Sequence, residues 1–354
     1  MINNPRIAIL SFAHYHANFW AEALLADAAR PLACIWDDDA ERGKDAAARF
    51  GVPFEAELAA ALATCDAVAI CAETVKHPAL TEAAAAAGKH ILCEKPTART
   101  LAEADAMAAS VNKAGVLFMQ SFPKRLDPAS HALKDLVASG RLGQIHLVRV
   151  RHGHWYGLDP EFRKRWYVDP ELGGGGALLD EGIHGADLLH WFFGRPESVT
   201  AELATPVGGL PVEETGVALF RYPGGMIAEL TTSVLLPAAE VSIELYGTQA
   251  TALLSAVDLA SRDITEGAFL RVSDERDGRK VWQDLEITPR FKLGQFHHQN
   301  AIAFLACLRT GKPPPATLAD GRAALEMITT AYRAAATGTR QIFPTGQDIP
   351  GTDR

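Results

Sequence analysis

Ile7-Ala-Ile-Leu-Ser-Phe-Ala-His-Tyr-His16 is the stretch that decides the fold. Four apolar residues form a strand with no polar face, a turn follows, and a helical pattern runs from about Ala17 to Ala29. The unit then repeats. Leu32–Trp36 reads as a second strand ending in Asp37-Asp38-Asp39, followed by a helical pattern from Ala40 to Phe50. Further on, strand patterns at Ala67–Cys71, His90–Cys93 and Val116–Met119 alternate with helical ones at Pro78–Ala87 and Leu101–Ala114. Short, wholly apolar strands alternating with helices predict a buried parallel sheet. The chain is therefore read as α/β, with residues 1–122 forming a Rossmann dinucleotide-binding domain whose ligand sits at the carboxyl ends of the strands.

The usual glycine fingerprint of such a domain is absent. Where G-x-G-x-x-G is expected after the first strand, the chain has Ser11, Phe12, Ala13, His14, Tyr15 and His16. Small Ser11 and Ala13 permit a tight turn, and free N–H groups at the helix start bind phosphate whatever the side chains. His14 and His16 either add donors to the phosphates or ribose, or are turn residues. Asp37, with Asp38 beside it, stands where an acidic group accepts hydrogen bonds from the adenosine ribose of NAD and repels the extra phosphate of NADP. NAD is the expected cofactor, unless the acidic triplet is a solvated turn.

After Phe122 the rhythm changes, and residues 123–354 are read as a second, α+β domain with a large open, mainly antiparallel sheet. A helix over Pro128–Ser139 precedes a strand over Gln144–His152; later strands are expected at 199–205, 216–222, 226–234, 240–247 and 250–254. Helices at about 295–310 and 318–336 close the fold, and the polar tail beyond Thr337 is expected to be partly disordered.

Two stretches carry chemistry. In Gly173-Gly-Gly-Gly-Ala-Leu-Leu-Asp-Glu-Gly-Ile-His-Gly-Ala-Asp187, the helical pattern after the glycines puts Asp180, His184 and Asp187 at i, i+4 and i+7, on one face. A carboxylate beside an imidazole suits acid–base work; the alternative is a helix with a polar face. In Cys93-Glu94-Lys95-Pro96, Lys95 follows a strand's carboxyl end and is directed toward the ligand crevice.

Together, Glu94-Lys95-Pro96 and the Gly173–Asp187 segment resemble the Gfo/Idh/MocA oxidoreductase family, with its E-K-P motif and its G-G-G-x-x-x-D-x-G-x-H-x-x-D segment. The likeness extends to Asp127-Pro128, Ser139-Gly-Arg-Leu-Gly143 and Trp166. It also includes His77 after the third strand, although Ala72-Glu-Thr74 replaces the commoner Thr-Pro-Asn. The resemblance implies a hydride transfer between a nicotinamide cofactor and a carbinol or carbonyl of a sugar, polyol or cyclitol. Lys95, Asp180 and His184 would be the catalytic group, and Ala72, Thr74, His77 and Glu94 would join the cofactor site. His184 would take the hydroxyl proton, Lys95 would stabilise the alkoxide, and Asp180 would orient a hydroxyl. Asp187 either reaches substrate or serves the core. An NAD-using glycosidase and a catalytically silent sensor are the alternatives, and the intact triad speaks against the sensor.

His152-Gly-His-Trp-Tyr-Gly157 and Arg163-Lys-Arg-Trp-Tyr167 offer aromatic faces and cations suited to sugars, so Trp155, Tyr156, Arg163 and Trp166 are candidate substrate contacts, with Lys124 and Arg125 at the domain junction. His297 and His298 either line the pocket or start a helix. No cluster has metal-ligand spacing, and hydride chemistry needs no metal.

The net charge of −9 argues against nucleic-acid or membrane-surface partners. Without a signal-peptide pattern or a spanning helix, and with five cysteines lacking CxxC spacing, the chain is expected to be cytoplasmic with reduced thiols. The resemblance implies a homodimer or homotetramer formed through the C-terminal sheet.

Overall fold

The computed structural model describes residues 1–237, 241–255, 268–276, 278–289 and 296–344. It divides into two compact units, Met1–Pro123 with His297–Arg322, and Lys124–Phe296 with Ala323–Arg354.

The first unit is built on six parallel strands, β1 (Ile7–Leu10), β2 (Leu32–Trp36), β3 (Phe54–Glu55), β4 (Ala67–Ile70), β5 (His90–Cys93) and β6 (Phe118–Gln120), in the order β3-β2-β1-β4-β5-β6. This is the Rossmann order. Every residue of β1 and β4 is buried, which is why neither alternates. The intervening helices are α1 (His16–Ala26), α2 (Ala40–Phe50), α3 (Leu58–Ala63), α4 (His77–Ala86) and α5 (Leu101–Ala114). Their ends follow local chemistry. The Asp39 carboxylate accepts from the N–H groups of Glu41 and Arg42 at the start of α2, and Thr100 with Glu103 forms a reciprocal cap on α5. The sequence reading missed β3 and α3, because two and six residues are too short to carry a period.

The second unit centres on a nine-stranded sheet formed by β7 (Ile145–Gly153), β8 (Ser198–Ala204), β9 (Thr215–Arg221), β10 (Ile227–Ser233), β11 (Val241–Gly247), β12 (Thr251–Ser255), β13 (Leu270–Arg276), β14 (Arg279–Leu285) and β15 (Gln341–Ile342). The order is β14-β13-β12-β11-β7-β10-β9-β8-β15, antiparallel throughout except between β7 and β10. The predicted open, mainly antiparallel sheet is present. β13 and β14 were not foreseen, since β14 is an edge strand rich in charge and lacks clean alternation. The expected strand over 240–247 begins at Val241; Glu240 lies outside the described residues, as do residue 295 of the expected late helix and residues 345–354 of the tail.

Three helices accompany this sheet: α6 (Pro128–Ala138), α7 (Ala177–Asp180) and α8 (Gly182–Phe193). Gly185 of α8 lies against Leu230 and Val150, so α8 covers the face built by Val148, Val150, Ala218, Phe220, Ala228 and Leu230. Two late helices complete the chain, α9 (His298–Thr310) and α10 (Leu318–Thr337). The expected second domain, 123–354, differs from this division in one stretch: residues 297–322, with α9, group with the first unit. It packs on α1 through Arg309, which pairs with Asp27 at 2.7 Å, and His298, which pairs with Glu22 at 3.0 Å.

Candidate active site

In the first unit the turn after β1 compensates for its missing glycines. Ser11 takes the left-handed conformation, with φ of +73°, that the fingerprint's first glycine would adopt. Its hydroxyl accepts from the Ala13 N–H at 3.2 Å and from Arg42 Nη2 at 3.2 Å. The Phe12 N–H donates to Asp37 Oδ2 at 2.8 Å, tying the turn to the end of β2. Asp37 is buried, and Arg42 reaches back from the first turn of α2 to bind it, Nε to Oδ2 at 2.9 Å and Nη2 to Oδ1 at 2.6 Å. Lys76 joins this cluster, pairing with Asp38 at 2.5 Å and with Glu73 at 2.7 Å. The helical turn brings Arg42, which lies beyond the acidic triplet in the sequence, onto Asp37.

Deeper in the unit lies Glu94. Its Oε1 sits 2.6 Å from His16 Nδ1 and accepts from Ser121 Oγ at 3.2 Å, while Oε2 accepts from the Lys95 N–H at 2.6 Å. Burial pushes this carboxyl up to about 7, against the lowering pull of Lys95. His16 therefore faces Glu94, and its ring stacks on His297 with centroids 3.7 Å apart. The His14 imidazole accepts from the His16 N–H at 3.2 Å, and burial holds its pKa well below the usual histidine range. His77 bridges backbone, Nδ1 lying 2.9 Å from the Pro96 carbonyl and Nε2 3.1 Å from that of Ala72. It braces the segments carrying Lys95 and Thr74, both buried. Sequence reasoning missed Ser121 and Asn300, which donates to the Ser121 hydroxyl at 2.9 Å; neither belongs to a motif. His298 points to Glu22 and stands apart from this group.

In the second unit the Gly173–Asp187 segment differs from the single helix predicted. α7 ends at Asp180 and α8 begins at Gly182, so Asp180 is on a different helix from His184 and Asp187. Gly182 has weak helix propensity, and the Glu181 side chain at the junction is drawn to two histidines. Glu181 Oε2 lies 3.1 Å from His152 Nδ1 and Oε1 lies 3.4 Å from His154 Nε2. Burial alone would raise this carboxyl, but His154 and His152 outweigh it and hold it well below the usual carboxylate range. His152 stacks on His184 at 4.9 Å with ring planes 16° apart. A polar group of Asp180, Glu181, His152, His154 and His184 thus gathers beside α7 and α8. Glu181, His152 and His154 were not singled out from the sequence, since 152 and 181 are far apart in the chain.

Another unforeseen residue fixes the glycine run. Glu213 accepts from the N–H groups of Gly176 at 3.0 Å and Leu178 at 2.8 Å, and from the Tyr332 hydroxyl at 2.5 Å. Any Cβ at Gly176 would collide with the Glu213 backbone, which is the physical need for that glycine. Asp187 is buried and pairs with Arg125 at 2.7 Å, which decides for its core role.

The substrate candidates fall in several places. Tyr156 packs on His154 at 4.3 Å and Trp155 lies beside Tyr156, 42% exposed. Arg163 donates from Nε to the Gly157 carbonyl at 3.1 Å and lies over Gly209, so it binds loop to loop. With Arg165 and Trp166 it lines a cavity of about 470 Å³ that also includes Asp169, Leu172 and Pro211. Lys124 is buried, its ammonium 5.7 Å from the Phe296 ring centroid.

The strand order, the left-handed Ser11 turn and the α1 N-terminus after β1 fit a dinucleotide, and the fold with these sites defines a nicotinamide-dependent oxidoreductase. Residues 8–122 match the oxidoreductase family with an NAD-binding Rossmann fold, and residues 130–253 match the GFO/IDH/MocA C-terminal domain. The chain belongs to the GFO/IDH/MocA family. It is 29% identical to 1,5-anhydro-D-fructose reductase of Ensifer adhaerens over 79% of this chain and 80% of that protein. It is 27% identical to myo-inositol 2-dehydrogenase of Thermotoga maritima over 73% of this chain and 74% of that one. Among solved structures, GenD2 from gentamicin A biosynthesis in complex with NAD superposes with a TM-score of 0.80 at 26% identity, covering 97% of each chain. All five cysteines are buried free thiols, and among the described residues no helix is long and apolar enough to cross a membrane.

Proposed function

We propose that the protein oxidises a secondary alcohol of a sugar, polyol or cyclitol, or runs the reverse reduction, with NAD as its cofactor. The observation that carries this reading is an aspartate ending α7 and a histidine in the first turn of α8, in a chain with an NAD-binding Rossmann domain. Bound nicotinamide supplies the two-electron hydride acceptor. His184 takes the hydroxyl proton, Lys95 stabilises the developing alkoxide by charge, and Asp180 orients a neighbouring hydroxyl. Ser11, Phe12, Ala13, His14, His16 and Thr74 line the pyrophosphate and ribose side. Trp155, Tyr156, Trp166, Arg163 and Lys124 would shape the sugar pocket.

The preference for NAD rests on charge at the end of β2. Asp37, Asp38 and Glu73 face Arg42 and Lys76, three carboxylates against two cations, which leaves the site net negative toward an added phosphate. The face of the large sheet opposite α8 exposes Leu219 and Ile227 on neighbouring strands, and we assign it to pairing with a second copy. Light scattering on the eluting protein checks this, a monomer at working concentration being the contrary result.

A panel of sugars, polyols and cyclitols, assayed by reduced-nicotinamide absorbance with each cofactor, tests the function. Turnover with at least one polyol is expected, and its loss in Lys95→Ala and His184→Ala. Unchanged turnover in the double variant overturns the catalytic assignment.

A further inference from the structure

Beside His184 stands a second imidazole with a carboxylate of its own. Along β7, Val148, Val150 and His152 occupy alternate positions on the covered face. α8 approaches that face at its glycine: a Cβ on Gly185 would lie 2.4 Å from Leu230 and 3.1 Å from Val150. His184, one residue earlier, is thereby set against His152, with ring centroids 4.9 Å apart and planes 16° from parallel. Both rings are buried. Glu181, also buried, brings Oε2 within 3.1 Å of His152 Nδ1 and Oε1 within 3.4 Å of His154 Nε2. It fills an open position of the G-G-G-x-x-x-D-x-G-x-H-x-x-D segment, so the family pattern gives it no role.

A buried carboxylate needs a cation or donors about it. Burial alone would raise Glu181, but His154 and His152 outweigh it. An imidazolium at 152 thus matches the anion it touches. Stacked on a second imidazole, it fixes that ring's plane, and repulsion between two cations so close disfavours a proton on the other ring. Asp180 and Glu181 pull the opposite way, while Asp187, one turn along α8, is answered by Arg125 at 2.7 Å. We propose that Glu181 and His152 are positioning residues for His184, a role that rests on His184 being the proton acceptor: the carboxylate anchors His152 as a cation, and the stacked imidazolium holds the His184 ring in place and favours its unprotonated form.

Labelling histidine with ¹³C at Cε1 lets the full-length protein be titrated by NMR without substrate. His152→Phe keeps an aromatic ring on the stack and removes its charge, so the His184 midpoint should move up by about half a pH unit or more. Glu181→Gln keeps the side chain's shape and should lower the His152 midpoint. In the wild type the His152 midpoint should exceed the ordinary value of about 6.5. Resonances are assigned from His184→Gln and from the cross-peak between the stacked rings, so the wild-type titration decides even where a His152 variant fails to fold. A wild-type His152 midpoint below about 6.5, or an unmoved His184 midpoint in folded His152→Phe, overturns the proposal. With a turned-over polyol, the acid limb of kcat/KM in His152→Phe should rise with the NMR midpoint; loss of packing alone would lower kcat and leave that limb in place. An NMR shift in an enzyme whose turnover ignores His184→Ala keeps the coupling of the two rings and overturns the catalytic reading.

Discussion

Arg42 grips Asp37 with two guanidinium nitrogens, at 2.9 and 2.6 Å, at the end of the second strand. The acidic residue that would hold the adenosine ribose is thus already partnered by a cation from the following helix. Burial opposes the charge on Arg42, but Asp37, Glu73 and Asp38 more than compensate and raise its pKa.

The pair sets cofactor choice. Asp37→Ala releases Arg42 to meet a 2′-phosphate, and the ratio of kcat/KM for NADP over NAD should rise about tenfold or more, equivalent to roughly 1.4 kcal/mol. Arg42→Ala should move the ratio the other way. Parallel kinetics with the two cofactors decide the matter, and an unchanged ratio in Asp37→Ala sinks the NAD assignment.

Glu94 makes stability depend on pH. Its carboxyl is raised from an ordinary 4.5 to about 7, so the folded state holds a proton that the unfolded chain releases earlier. The sign follows: this contribution is fully present below about 4.5 and is lost as pH rises through about 7. The loss is at most about 3 kcal/mol, and proton sharing with His16 reduces it. Urea midpoints at pH 5 and pH 8 should therefore differ less in Glu94→Gln than in the wild type. Equal differences in the two proteins would falsify this account.

Glu213 should support turnover without touching substrate. Glu213→Ala leaves two backbone N–H groups and the Tyr332 hydroxyl without their acceptor, at about 1–3 kcal/mol for each that stays dry. Because Asp180 stands one short helix beyond that anchor, kcat should fall by more than KM rises, together with a lower Tm. Glu213→Gln keeps an acceptor oxygen and should recover part of both. A variant that loses Tm while keeping kcat would confine Glu213 to stability.

The nucleotide unit was legible because its signal is local. Wholly apolar runs such as Ile7–Leu10 and Ala67–Ile70 can hardly be anything but central strands, and Asp39 and Thr100 mark helix starts by their own chemistry. What escaped reading depends on residues far apart in sequence. Glu181 meets His152 only after β7 and α8 pack together, and Glu213 meets Gly176 only across a loop. The kink after Asp180 was hidden because Asp180, His184 and Asp187 fit a helical period equally well with or without it. Ser11 shows the converse: a motif absent by residue type is present as a backbone conformation.

The return of His297–Arg322 to the first unit has a consequence for protein engineering. The nucleotide unit is discontinuous in the chain, entered once at the amino terminus and again after an excursion that takes nearly half the polypeptide. A fragment ending at Pro123 would strip α9 from α1 and remove Arg309, His297 and Asn300, which contact Asp27, His16 and Ser121, in a single cut. Transplanting this module therefore takes two breakpoints and a bridging linker, and recombination at the apparent boundary alone yields an incomplete half.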